Sequence, residues 1–253
     1  MRMTRRDVVA RYRGSFIGLA WSFFNPVLLL IVYTFVFAVV FKARWGDSRF
    51  GADGDGSLAV MIFSGMIVHA LFSECFIRSP DLITSNSNFV KRVIFPLEVL
   101  PWVSMGSAIF HLFVSLLVLV GGQFIASGSV HATVLLAPLA LAPLMLFTMG
   151  VSWFVSAAGV YFRDLAQASG IISIMMLFLS PVFYPLSIVP EDYRAWFYVN
   201  PLTYMIELLR ELVVFGSLPP VGPYLLYCAA SLAVACLGYA WFQKTRRGFA
   251  DVL

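Results

Sequence analysis

The groups in this chain that could do covalent chemistry are few, and they stand apart from one another. The three histidines, His69, His111 and His131, fall in or beside three different apolar stretches. A metal or acid–base centre would need the fold to bring them together; packing or interfacial roles are the simpler expectation. Cys75, Cys228 and Cys236 lie inside apolar runs without CxxC spacing, as small buried hydrophobes do. There is no GxxxxGK phosphate loop, no HExxH and no GxSxG, so ATP hydrolysis, zinc-assisted hydrolysis and serine acyl transfer lack their usual scaffolds. Asp53-Gly54-Asp55-Gly56 faintly resembles a calcium loop, but the other ligand positions and the closing Glu are missing, so it reads as an external connector. Glu74 and Glu98 are more suggestive, one near the end of an apolar run and one at the start of the next. Ionisable groups in a membrane are costly and often functional, but near the interface a long side chain reaches water along its own stem. A structural role is expected for both, in pairs with Arg78 or Arg92.

The elements that must position these groups are membrane helices. Hydrophobic residues make up 60% of the 253, charged residues 12%, and mean hydropathy is +0.88. Soluble domains carry about 25% charged residues, so the coat needed to face water is missing. Lipid solvates Leu, Phe and Val directly. No polar stretch is long enough for a second domain, and residues 1–253 read as one membrane domain. The net charge of +4 is explained by topology and gives no reason to invoke nucleic acid.

The first apolar run, Trp21–Phe41, is close to the ~20 residues that cross a hydrocarbon core. It ends in Phe41-Lys42-Ala43-Arg44, a poor cleavage site, and is therefore a retained helix and not a signal peptide. Before it, Val8, Tyr12, Phe16, Leu19 and Phe23 recur at three- and four-residue steps, with Arg6, Arg11 and Arg13 off that stripe and Arg5 on it. Residues 4–22 are predicted to form a basic amphipathic helix in the interface, joined to the first span at a break set by Asn25-Pro26.

Further spans are predicted at Leu58–Ile77, Val99–Ala126, Val134–Val160, Ala168–Phe183 and Tyr224–Phe242. Ser79 and Asp81 are capping types beside Pro80, a start for a short surface helix. After the fifth span, Pro181, Pro185, Pro190 and Pro201 interrupt the pattern, and Leu202–Phe215 would reach only about 21 Å as helix, too short to cross. With Glu207, Arg210 and Glu211 within it, the region 185–215 reads as short helices that re-enter the outer leaflet, buried in protein or facing water. The expected fold is all-α integral membrane: six transmembrane helices, an N-terminal interfacial helix, and re-entrant outer helices between spans five and six. With both termini inside, only Lys42, Arg44, Arg49, Arg194 and Arg210 of the 17 basic residues lie outside. That is the positive-inside pattern of a multi-pass protein with cytoplasmic N- and C-termini.

Aromatic residues make up 16% of the chain. Trp196 and Tyr198 suit an interfacial belt. Tyr33, Phe37, Phe178, Phe183 and Tyr184 lie within spans or their breaks. Aromatic faces stack on the C–H faces of sugar rings without demanding one hydrogen-bond pattern, so these rings suit a sliding glycan path; packing or lipid contact is the plainer alternative.

Several stretches resemble one family. The run from Arg11-Tyr12-Arg13-Gly14 to Asn25-Pro26 is similar to the amphipathic start of polysaccharide-export permeases of the ABC-2 type. Lys91-Arg92-Val93-Ile94-Phe95-Pro96, Tyr161-Phe162-Arg163-Asp164, Ser180-Pro181-Val182-Phe183-Tyr184-Pro185, Asn200-Pro201-Leu202-Thr203 and the C-terminal Arg247–Leu253 resemble their counterparts, in order from end to end. The resemblance implies a homodimer in a bacterial inner membrane, each subunit docked on a separate ATP-binding subunit that holds ATP and magnesium, with no cofactor in this chain. It implies a lipid-linked cargo such as O-antigen, capsular glycan or a teichoic-acid-like polymer. It implies that Asp81, Asn86, Asn88, Arg163 and Asp164 receive the ATPase's motion, that Arg6, Arg11, Tyr12, Arg13 and Phe16 belong to the interfacial helix, and that the 185–215 region, with Glu207 and Arg210, gates the exit. Rival readings are an ABC-2 exporter of a small lipid or drug, a membrane-embedded glycosyl- or acyltransferase using His111 or Glu98, and a purely structural membrane subunit.

Overall fold

The computed structural model describes residues 2–12, 15, 17–40, 55–87 and 95–252. Among these every regular element is helical. Helix α1 is Arg2–Tyr12. A single tight turn, Gly18–Ala20, follows, with Gly18 at φ +55°, a left-handed value that favours glycine. Helix α2 then runs Trp21–Tyr33 and continues as a wider π-type stretch, Thr34–Val40. The interfacial helix expected over 4–22 is therefore not continuous. Val8 and Tyr12 do turn inward, but Leu19 and Phe23, beyond the break, are exposed. Arg13 and Phe16 lie outside the described residues, as do Asn88, Lys91, Arg92 and most of the 46–57 connector.

The break expected at Asn25-Pro26 is absent: Pro26 sits inside α2. Proline removes one hydrogen bond there, but in an apolar solvent the remaining backbone groups have no other partner, so the helix continues through it.

Helix α3 is Asp55–Arg78, followed by the single turns Ser79–Asp81 and Thr84–Asn86. Ser79 does not cap a surface helix. It is buried, and its hydroxyl donates to the Cys75 carbonyl at 2.7 Å, closing α3. Helix α4, Val99–Ser127, leads through the helical turns Ala132–Leu136 and Ala137–Ala140 into α5, Ala142–Tyr161. Then come α6, Leu165–Phe178; α7, Glu191–Val199; α8, Pro201–Arg210, extended by the π-type turn Glu211–Phe215; and α9, Val221–Thr245. A last turn, Phe249–Val252, folds back beneath α9 with Phe249 fully buried.

Among the described residues five stretches are long and apolar enough to cross a membrane: Gly18–Phe37, Leu58–Asp81, Val99–Ser127, Ala132–Tyr161 and Val221–Gly248. The remaining expected span, 168–183, is helical only to Phe178, because Ser180-Pro181 cannot continue it. At 14 residues, α6 is about 21 Å long against a ~30 Å hydrocarbon core. The two short helices expected between Pro185 and Phe215 are α7 and α8.

Helix α3 is the pillar of the chain. Of its apolar window 72% is buried within the chain, against 6% for α2. It packs on α4, α5, α6 and α8, and the shared core includes Ile67, Leu119, Leu144 and Met205. Helices α5 and α9 cross where glycine faces glycine, and a Cβ on Gly238 would overlap the Gly150 backbone. Without such small residues two membrane helices cannot approach this closely.

Gly238→Val should therefore destabilise the chain by about 1–3 kcal/mol, read as a lowered thermal unfolding midpoint in detergent. Gly170→Ala, whose Cβ would meet nothing within 4 Å, should leave the midpoint in place.

Candidate functional site

The polar residues gather at the two ends of the helical body. At the end shared by the C-terminus of α3 and the start of α4, a charge network fastens α1 to both. Asp7 accepts two hydrogen bonds from Arg78, at 3.0 and 2.8 Å, and a third from the Ser107 hydroxyl at 2.7 Å. One turn on, Arg11 donates to Glu74 at 2.7 Å. Glu74 also meets His111 Nδ1 at 2.9 Å, and His111 Nε2 lies 3.0 Å from the Tyr12 hydroxyl.

Burial alone would raise the Asp7 carboxyl; the hydrogen bonds from Arg78 and Ser107 and the charges of Arg78 and Arg11 outweigh it and hold it below its usual range. Burial pushes the Tyr12 phenol up, so it stays protonated and able to donate to His111 Nε2. In the neutral imidazole, Nδ1 then carries the proton and donates to Glu74.

Glu74 thus pairs with Arg11 and His111 and not with Arg78, because α1 interposes its own arginine and Arg78 is taken by Asp7; Arg92, the other expected partner, lies outside the described residues. Glu98 pairs instead with Arg246, at 3.1 Å. His111 bonds to Glu74 and Tyr12 while Glu98 bonds to Arg246, so these two groups are engaged with different partners. Histidine does not cluster either: His69 faces the Ser173 carbonyl at 3.0 Å, and His131 lies against Gly216. Among the described residues no three His, Cys, Asp or Glu side chains converge as metal ligands would. Cys75 is buried as expected, whereas Cys236 is exposed on α9, on a face the chain leaves to its apolar surroundings.

Asp7 is the member of this network that sequence reasoning missed. Its signal was present: it is the only carboxylate before Asp47, in a segment crowded with arginine.

At the same end the turn Ser79–Asp81 packs on the end of α5 and the start of α6. A Cβ on Gly159 would overlap the Pro80 carbonyl. Asp81, Arg163 and Asp164 are exposed, and Asn86 is half-buried with its amide donating to the Leu82 carbonyl at 2.9 Å. The fold therefore brings the two polar turns together on one surface, with the exposed Phe162 between α5 and α6.

At the opposite end, four of the aromatic residues singled out in the sequence form a ladder between α2 and the end of α6. Tyr33 and Phe37 lie 6.4 Å apart; Phe37 stacks on Phe183 at 6.1 Å with planes 15° apart; Phe178 lies 5.9 Å from Phe183. Tyr184 turns away from the ladder, to Phe197 at 6.0 Å, while its hydroxyl donates to the Phe178 carbonyl at 2.6 Å.

The corner between α7 and α8 is tied to the same place. The Asn200 side chain caps α8 at Leu202 N and its amide donates to Ser180 Oγ at 2.8 Å. Arg210 is buried at 2% exposure and donates to the Met61 and Val182 carbonyls at 3.3 and 2.9 Å and to Glu207 at 2.8 Å. It bolts α8 to the pillar, while the Glu207 carboxylate faces outward.

Comparison with known proteins gives a consistent picture. The profile of the ABC-2 type transporter membrane family matches residues 1–214. The chain is 25% identical over 252 residues to the O-antigen export system permease protein RfbA of Klebsiella pneumoniae, covering 99% of this chain and 93% of that one. It is 26% identical over 253 residues to the protein of the same name from Myxococcus xanthus, with 98% and 93% covered. It is 22% identical over 244 residues to the polysialic acid transport protein KpsM of Escherichia coli, with 94% and 90% covered.

The charge network makes α1 removable by a single change. Asp7 and Arg78 side chains are 26% and 33% exposed, so Asp7→Asn should cost only about 1–2 kcal/mol but free a spin label placed at Val9. Because the Asp7 pKa is depressed in the fold, its contribution is complete above the unfolded value, about 3.9, and is lost as pH falls through that value toward the folded one. Label mobility should stay flat from neutral pH to about 5 and rise below about 4. If the Asp7→Asn label stays as immobile as wild type, α1 is held by its apolar face alone.

Proposed function

Since this chain belongs to the ABC-2 type transporter family, we propose that it is the membrane subunit of a polysaccharide exporter. Two copies form the path, each driven by a separate ATP-binding subunit that carries ATP and magnesium. The cargo is a lipid-linked glycan such as O-antigen or capsular polymer. The observation that carries this reading is the end-to-end likeness to permeases named for O-antigen export and polysialic acid transport. The chain lies in a bacterial inner membrane with both termini cytoplasmic, as the distribution of its basic residues supports. The sixth crossing is made by α6 together with the turns that follow it, and α7 and α8 re-enter from outside.

The mechanism follows from what α6 joins. Its first residue follows Asp164, on the surface where the Ser79–Asp81 turn rests against Gly159. Its last, Phe178, belongs to the aromatic ladder, and Ser180 just beyond it receives the Asn200 hydrogen bond. A helix is stiff along its axis, so a push on the polar turns reaches the ladder and the α7–α8 corner in one step. His69 on α3 grips the Ser173 carbonyl of α6 partway along and provides a fulcrum. Transmission of this kind needs two discrete arrangements of the packed element. The ladder suits a cargo that slides, because stacking on ring faces is tolerant of register.

Two experiments test the reading in proteoliposomes containing both subunit types. Reversing the exposed turn with Arg163→Glu and Asp164→Lys should reduce glycan export and glycan-stimulated ATPase activity at least about tenfold, with insertion and thermal stability unchanged. Phe37→Ala with Phe183→Ala should reduce export while ATPase docking persists. Transport of a small amphiphile with no transport of glycan would replace the cargo assignment, and full export by the turn variant would remove the coupling role.

A further inference from the structure

At the end that carries α7 and α8, a cavity of about 460 Å³ opens between the loop after α6, helix α8 and the start of α9. That is within the range of small-molecule sites, about 300–1,000 Å³. Tyr198, Tyr204 and Phe215 give it ring faces, and Glu207 and Glu211 give it carboxylates. Much of the remaining wall is proline, from the loop after α6 and from the segment before α9, whose fixed φ keeps the shape preformed.

The Tyr204 ring is held by stacking on Tyr227 at 5.6 Å. Its hydroxyl is shielded yet has no hydrogen-bond partner among the described residues. The cation at the site is committed elsewhere: Arg210 is buried and directs its donors to two carbonyls and to Glu207. Residues 185–223 contain Glu191, Asp192, Glu207 and Glu211 against Arg194 and Arg210, so the surroundings are net negative.

Ring faces match C–H surfaces, and carboxylates accept short, strong hydrogen bonds from hydroxyl or ammonium groups. Glu207 accepts from Arg210 and Glu211 from Ser217, each with acceptor capacity to spare, and an acyl chain would strip water from both without offering a donor. An anionic ligand would be repelled.

We propose that this cavity is a sugar subsite that takes a neutral or amino-sugar unit of the cargo and rejects acidic sugars. The proposal rests on the export reading above and adds to it the charge class of the glycan.

The test uses the complex with its ATP-binding subunits in nanodiscs, with maltoheptaose as the neutral probe and a sialic acid hexamer as the acidic one, followed by saturation-transfer NMR. Maltoheptaose should bind and the hexamer should not. Tyr198→Ala, at a position 63% exposed where truncation leaves no buried cavity, should weaken maltoheptaose about tenfold. Glu211→Gln should admit the sialic acid hexamer. Equal binding of the two probes, binding of neither, or binding indifferent to Tyr198→Ala overturns the subsite. A cellular arm separates this from failure of the export reading. If deleting the chain abolishes surface glycan while Tyr198→Ala restores it fully and binds as wild type, the subsite falls and export stands. If deletion leaves surface glycan intact, the export reading itself falls.

Discussion

A lipid tail accepts no hydrogen bond, and the arrangement of this molecule follows from that one fact. Every charged group within reach of the apolar body must find a partner on the chain or lie at an end where water is near. The observed pairings obey this at both ends. Asp7, Arg11, Glu74, Arg78 and His111 neutralise one another at one end, and Arg210 is satisfied by two carbonyls and Glu207 at the other. Between them α3 is apolar and mostly enclosed, with 72% of its apolar window buried. The pillar is therefore pinned at both ends by polar bonds and along its length by packing, and every other element is positioned relative to it.

This explains why the molecule combines rigid and exposed parts. The α5–α9 crossing, where backbones nearly touch, leaves no room for sliding. Helix α6 is different: it is short, largely exposed, and held by side-chain hydrogen bonds at Ser173 and Phe178, with one more at Ser180 just beyond its end. An element with few buried contacts and a few directional ones is the natural place for a displacement to travel.

The sequence made the helical class and most helix bounds legible, because in a membrane chain hydropathy and the physics of burial coincide. Val99–Ala126 was expected and Val99–Ser127 was found. The expectation at Asn25-Pro26 failed because proline's rule was learned in water, where a broken helix finds new partners. The continuous 4–22 helix failed because an apolar stripe persists across a chain break that the periodicity does not register. Pairings were the least legible. Glu74 has three basic residues within plausible reach, and only the docking of α1 selects Arg11. The aromatic residues were better served: five were chosen for their position in spans or breaks, and the fold brings four into one ladder, since a common depth in the membrane already constrains where rings can meet.

The separation of Asp7 from its partners, 71 residues to Arg78 and 100 to Ser107, also governs how the molecule is made. Helix α1 leaves the ribosome before α3 and α4, yet the surface it docks on does not exist until α4 has been inserted. Before α3 brings Glu74, the next carboxylate in the sequence after Asp7 is Asp47, and anionic headgroups are the counter-charge at the membrane surface. The basic face is thus a waiting position in assembly: it keeps α1 at the membrane surface until Ser107 on α4 completes its docking surface, and only then is the lipid exchanged for the full set of protein partners.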